Sequence, residues 1–139
     1  MSTTRPPASG RRRWDWSDDR GSHSIEMVIL LPVLFALMFV GVQAVLYYYA
    51  RSIAGAAAQE GARVAAAYEA TLAAGIASAA TAVEEVGWDD AITDASITGT
   101  RDAEIATVVV TGHALSVIPG WSPTITQSAS MPVERLVAP

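Results

Sequence analysis

The chain has 139 residues, a formal net charge of −5 and only 17% charged residues, below the ~25% usual for a soluble domain. Every basic residue is an arginine and there is no cysteine, which excludes a structural disulfide, an iron–sulfur cluster and a thiolate zinc site. His23 and His113 are the whole histidine complement, and the balance is acidic, so neither a histidine metal site, a cofactor nor a nucleic-acid partner is expected.

The first element is a leader. Residues 1–20 carry Arg5, Arg11, Arg12, Arg13 and Arg20 against three aspartates, with Pro6, Pro7, Ser9 and Gly10 as breakers. This composition predicts a basic, disordered segment over residues 1–21. An uncharged run follows, Met27 to Leu46, with Gln43 as its one polar residue, and Tyr47, Tyr48 and Tyr49 close it before Arg51. As a helix, Met27–Tyr49 measures ~34 Å, enough for a bilayer core of ~30 Å, and the tyrosines stand where an interfacial aromatic belt belongs. The reading is a single transmembrane helix over residues 22–49. The arginine-rich leader places the N-terminus in the cytoplasm and residues 50–139 outside. A removable secretory signal, cut among Ala50, Ala54 and Ala56–Ala58, is the competing reading; its apolar run is long for that role.

Between leader and span stands Arg20-Gly21-Ser22-His23-Ser24-Ile25-Glu26. A carboxylate beside an apolar run is costly to dehydrate unless paired or protonated, and a headgroup-level, hydrated Glu26 is the simplest account of it. The spacing resembles the leader junction of type IV prepilins, with glycine before the cut and glutamate five residues after it. A cut between Gly21 and Ser22 frees an α-amine of pKa ~8, and a neighbouring subunit's Glu26 can pair with that cation. Pairing offsets the cost of burying either charge and fixes the register of adjacent helices.

The residues that follow carry a family resemblance. Arg20-Gly21-Ser22, Ile25-Glu26, Leu30-Leu31-Pro32, Tyr49-Ala50-Arg51 and the block Gln59-Glu60-Gly61-Ala62-Arg63-Val64-Ala65-Ala66 resemble the TadE-like family of pseudopilins from Tad (tight adherence, Flp-type) pilus systems. Val117-Ile118-Pro119-Gly120 and Met131-Pro132-Val133-Glu134 look like that family's C-terminal part. The resemblance implies a substrate of a membrane prepilin peptidase, processed at Gly21–Ser22, with Glu26 as the registry residue and Gly61, Ala62 and Arg63 on a helix-packing surface. Implied partners are membrane lipid, the peptidase, other Tad pilus components and pilin-like subunits. Met27 departs from the tyrosine that major Flp pilins usually carry after the glutamate. With the greater chain length, this favours a minor component over the main filament subunit.

Residues 50–86 are dominated by alanine, the best helix former, and predict a helical stalk continuing from the span. Gly55, Gly61 and Gly75 each weaken it by ~1 kcal/mol relative to alanine, and an interruption is expected between Thr71 and Gly75. Small residues recur every fourth position from Ala50 to Ala74, the kind of row on which helices approach closely, although a four-residue period drifts ~40° per step. Glu60 and Arg63, three apart, share a face. Glu84, Glu85, Asp89 and Asp90 read as a solvated helix exit. Residues 87–139 turn to strands: Ala95–Thr100, Glu104–His113 and Thr124–Met131 are rich in Val, Ile and Thr, with Thr100-Arg101-Asp102-Ala103 as a hairpin turn and Pro119-Gly120 as a break. Trp88 and Trp121 are expected to fill the interface between helix and sheet. Ser116 has no paired histidine and no G-x-S-x-G elbow, so no catalytic constellation emerges.

The expected architecture is α+β: a long N-terminal helix that begins in the membrane, with a small antiparallel sheet packed on its outer half. The expected role is structural and non-enzymatic, in pilus assembly or secretion. An uncleaved, membrane-anchored envelope binding module and a secreted enzyme or inhibitor remain the alternatives.

Overall fold

The structure is a computed structural model that describes Met1, residues 20–86 and residues 90–135. Most of the basic leader, together with Gly87, Trp88 and Asp89, lies outside the described residues. Two helices precede three strands: α1 (Arg20–Ala66), α2 (Leu72–Val86), β1 (Ile92–Arg101), β2 (Ile105–Ala114) and β3 (Thr124–Pro132). The α+β class read from the sequence is the observed one. The chain divides into two units, Met1–Ala36 and Leu37–Pro139.

The first unit contributes the opening part of α1. Its described side chains from Ile25 to Ala36 are exposed. Pro32 sits inside this helix, where its missing N–H leaves the Val28 carbonyl without the usual i→i−4 donor.

In the second unit the strands form a meander in the order β1-β2-β3, all antiparallel. The pleat sorts β2 cleanly. Ala106, Val108, Val110, Gly112 and Ala114 are buried, while Thr107, Val109, Thr111 and His113 point to the other face. Register follows from that alternation, with Val109 opposite Thr98 on one side and Ser128 on the other. The β1–β2 turn is held by Asp102, whose Oδ1 accepts the Glu104 and Ile105 N–H groups, both at 2.7 Å. These two bonds hold the Asp102 carboxyl below its usual range.

The second part of α1 covers the inner face of the sheet with small residues. Ala50, Ile53, Ala54, Ala57, Ala58, Gly61, Ala62, Ala65 and Ala66 are all buried, at alternating steps of three and one. Apart from Ile53, the large buried side chains of this core come from the sheet, where Val108, Val110 and Ile125 are the bulkiest fully buried members. The division of labour lets the helix backbone lie close to the strands. The row of small residues read from Ala50 to Ala66 is therefore occupied within this chain, against its own sheet.

The interruption falls at residues 67–71, slightly before the expected Thr71–Gly75 interval. Two things end α1 at Ala66. Arg101 Nε donates to the Ala65 carbonyl (2.7 Å) and Glu134 N–H donates to the Ala66 carbonyl (2.8 Å), so strand ends cap the terminal carbonyls and a cation meets the negative end of the helix. Glu69 then takes a left-handed φ of 55°. Thr71 restarts the helix by accepting the Ala74 N–H on its hydroxyl (3.2 Å), an N-cap. α2 returns across α1 where two glycines meet. A Cβ on Gly75 would lie 2.5 Å from the Gly61 carbonyl oxygen and from Ala65 Cβ; one on Gly61 would lie 2.8 Å from the Gly75 carbonyl oxygen and Ala79 Cβ.

Candidate functional site

The apolar run of α1 is the first candidate surface. Among the described residues, one helix is long and apolar enough to cross a membrane, and its most apolar stretch has none of its residues buried. Ile25, Met27, Val28, Leu31, Leu34, Leu37, Phe39, Val42 and Val45 all project outward. Fully burying such a side chain is worth ~1.5–3 kcal/mol, so this stripe in water would carry a large uncompensated cost that a bilayer removes.

At the start of that run, Gly21 and Ser22 are already in the first turns of α1, and Glu26 stands one turn further on with its side chain exposed. The helix thus includes the junction. The opening turns of a helix have unsatisfied N–H groups and fray readily.

Further along, Glu60 and Arg63 pair on the surface of α1, as their spacing implies. The pair is exposed and contributes little stability. Gly61 and Ala62 face the opposite way. Gly61 meets α2, and Ala62 packs with Ala79 and Val108. The three residues singled out together thus divide, with Gly61 and Ala62 in the core of their own chain and Arg63 at the surface.

A cluster that sequence reading did not anticipate centres on Gln43. This side chain is only 2% exposed. Its Oε1 accepts the Val117 N–H (2.9 Å) and the Ser116 hydroxyl (3.1 Å), and its Nε2 donates to the Leu115 carbonyl (3.2 Å). The β2–β3 loop, residues 115–123, is fastened by these bonds to α1. Ile118-Pro119-Gly120-Trp121 forms a turn closed by Trp121 N–H to the Ile118 carbonyl (3.2 Å), with Gly120 at φ +77° as a type II turn demands. Trp121 is 52% exposed rather than buried in the helix–sheet interface. It lies with Ile118 over Val40, Ala44, Tyr47 and Tyr48, around a shallow apolar hollow of about 250 Å³. The reason is the loop's anchorage to Gln43, which carries the tryptophan past the end of the sheet. Sequence offered one signal, a lone amide in an apolar run; its partners lie more than 70 positions away.

Among the described residues no group of three or more His, Asp or Glu side chains converges as a metal site would require. His113 Nδ1 is near the Thr124 hydroxyl at 3.3 Å. The Ser116 hydroxyl bonds to Gln43 and to the Ile118 carbonyl (both 3.1 Å).

Residues 21–63 match the family model described as TadE-like protein, the family that the sequence resembles. The matched segment lies wholly within α1, from the glycine of the junction to the arginine of the Glu60–Arg63 pair. No curated protein and no solved structure matches the chain.

Proposed function

We propose, from the TadE-like match of its first helix, that this chain is a non-enzymatic, pilin-like membrane component of a Tad-type pilus assembly or secretion system. The observation that carries the reading is the coincidence of the match with the features such a subunit needs. Residues 21–63 contain Gly21, Ser22 and Glu26, the apolar run, and the helix that the sheet packs on.

In this reading a prepilin peptidase cuts between Gly21 and Ser22. The new α-amine, a cation at neutral pH, then pairs with Glu26 of a neighbouring subunit as helices pack laterally in the bilayer. The arginine-rich leader lies on the cytoplasmic side before the cut, and the sheet domain lies outside. The work of the protein is done by packing, and its partners are lipid, the peptidase and other pilus components.

The deciding experiment is the intact mass and N-terminal sequence of the protein extracted from its native membrane. A chain beginning at Ser22 is expected. A chain that keeps its leader refutes the processing step and the amine–carboxylate pairing, and leaves a tethered envelope module as the better account.

A further inference from the structure

We infer that the β2–β3 loop is a second membrane contact: Leu115, Val117, Pro119 and Trp121 enter the bilayer leaflet on the side of the sheet domain. The inference rests on α1 crossing the membrane, as the proposed function has it, and is independent of the pilus assignment.

A helical span needs about 20 apolar residues, the number that the run Met27–Leu46 supplies before the tyrosines. Val40, Gln43 and Ala44 therefore belong to the part of α1 that the bilayer requires. Whatever packs on them shares their depth, and what packs on them is the loop.

The chemistry of the loop suits that depth. No Asp, Glu, Lys or Arg occurs between Glu104 and Glu134. Leu115 and Val117 are 43% and 37% exposed, and Pro119 and Trp121 also face outward. Four outward apolar groups on a nine-residue loop would be a poor surface in water, and tryptophan favours the headgroup boundary.

Irregular backbone is tolerated near hydrocarbon only where its polar groups find partners within the protein. Several of this loop's polar groups find such partners. Gln43 accepts the Val117 N–H and donates to the Leu115 carbonyl; the Ser116 hydroxyl accepts the Ile118 N–H (3.1 Å); Trp121 N–H closes its own turn. Pro119 and Pro123 have no N–H to satisfy, and the Pro123 carbonyl accepts the Ala114 N–H (2.9 Å). Gln43 is satisfied by the same bonds, which explains an amide buried within an apolar run. The lone polar residue of the span and the apolar loop are each other's solution.

The test uses the absence of native cysteine. Leu115→Cys and Val117→Cys, with Leu34→Cys and Thr98→Cys as references in α1 and on the open face of the sheet, are made in the full chain. Each is labelled with a nitroxide and reconstituted into vesicles of phosphatidylcholine and phosphatidylglycerol. Collisions with oxygen, which concentrates in lipid, are compared with collisions with a water-soluble nickel chelate. Labels at 34, 115 and 117 are expected to favour oxygen several-fold, and the label at 98 to favour nickel. Nickel preference at 115 and 117 with oxygen preference at 34 overturns the inference and leaves the transmembrane reading intact. Nickel preference at 34 overturns both. Shielding of 115 and 117 from both reagents assigns the loop to a second copy of the chain and also overturns the inference.

Discussion

The crossing of α1 and α2 at Gly61 and Gly75 yields a prediction whose sign is opposite to helix propensity. Replacing glycine by alanine in a helix interior ordinarily stabilises it by ~1 kcal/mol. At position 75 the new methyl would lie 2.5 Å from the Gly61 carbonyl oxygen and Ala65 Cβ, against an ordinary separation of ~3.5–4.0 Å. Backbone cannot rotate aside, so α2 must withdraw from α1 by about 1 Å, at an overpacking cost near the upper end of ~1–3 kcal/mol. The net expectation for Gly75→Ala is a loss of ~1–2 kcal/mol, or very roughly 4–16 °C in Tm at ~4–8 °C per kcal/mol for a domain near 100 residues. Gly61→Ala, with its nearest contacts at 2.8 Å, should lose about 1 kcal/mol. Once the helices part, the second methyl costs less, so the double variant should fall short of the sum by about 1 kcal/mol. Gly55→Ala is the internal control. Its methyl would meet only Gln127 Oε1 at 3.8 Å, and it should gain ~0.5–1 kcal/mol. The assay is thermal unfolding of the full chain in detergent micelles, followed by circular dichroism. If Gly75→Ala stabilises as Gly55→Ala does, the close crossing of the helices is wrong.

Other perturbations address the remaining features. Gln43→Leu leaves the Val117 N–H and Leu115 carbonyl without partners at a cost of ~1–3 kcal/mol, and hydrogen exchange at the Val117 amide should quicken about ten-fold or more. Arg101→Met uncovers the Ala65 carbonyl at the end of α1 and should lower stability by about 1.5–2 kcal/mol in denaturant titration; an unchanged midpoint would remove its capping role. The Asp102 carboxyl has a lowered native pKa, so the stability it contributes is complete above its unfolded value of 3.8 and disappears as pH falls through the lower native value. Asp102→Ala should therefore be less stable than the parent at neutral pH, and the difference should shrink on acidification below that range. Glu26→Ala should insert normally but fail to co-purify with the other pilus components; normal co-purification would sink its registry role.

Local chemistry was legible before tertiary packing was. The strands lie within a few residues of where Val, Ile and Thr placed them, because period-two alternation and the Asp102 and Pro119-Gly120 turns are properties of adjacent residues. The uncharged run of α1 was equally plain. The alanine row was visible, but its partner was not: alanine every fourth residue fits another subunit's helix as well as the inner face of a sheet 40–70 residues away. Gly61 and Gly75, judged one at a time, are weak points in a helix; judged as a pair they are the contact that lets α2 lie against α1. Trp121 was expected inside because tryptophan usually fills small cores. The bond from Gln43 to its loop overrides that preference, and no local pattern announces it.

The sheet domain is fastened to α1 at two separated places, by Gln43 within the apolar run and by the capped carbonyls of Ala65 and Ala66 at the far end. About 22 residues, or ~33 Å of helix, lie between them. The arrangement has a mechanical consequence. A force along the helix axis loads the sheet in shear, so both fastenings and the alanine contacts between them resist together instead of yielding one after another. This length of helix is splinted along its sheet-facing side, and its softest modes are suppressed. When the helix is pushed or drawn along its axis, the sheet travels with it as cargo on a rail that cannot buckle between its two fixings.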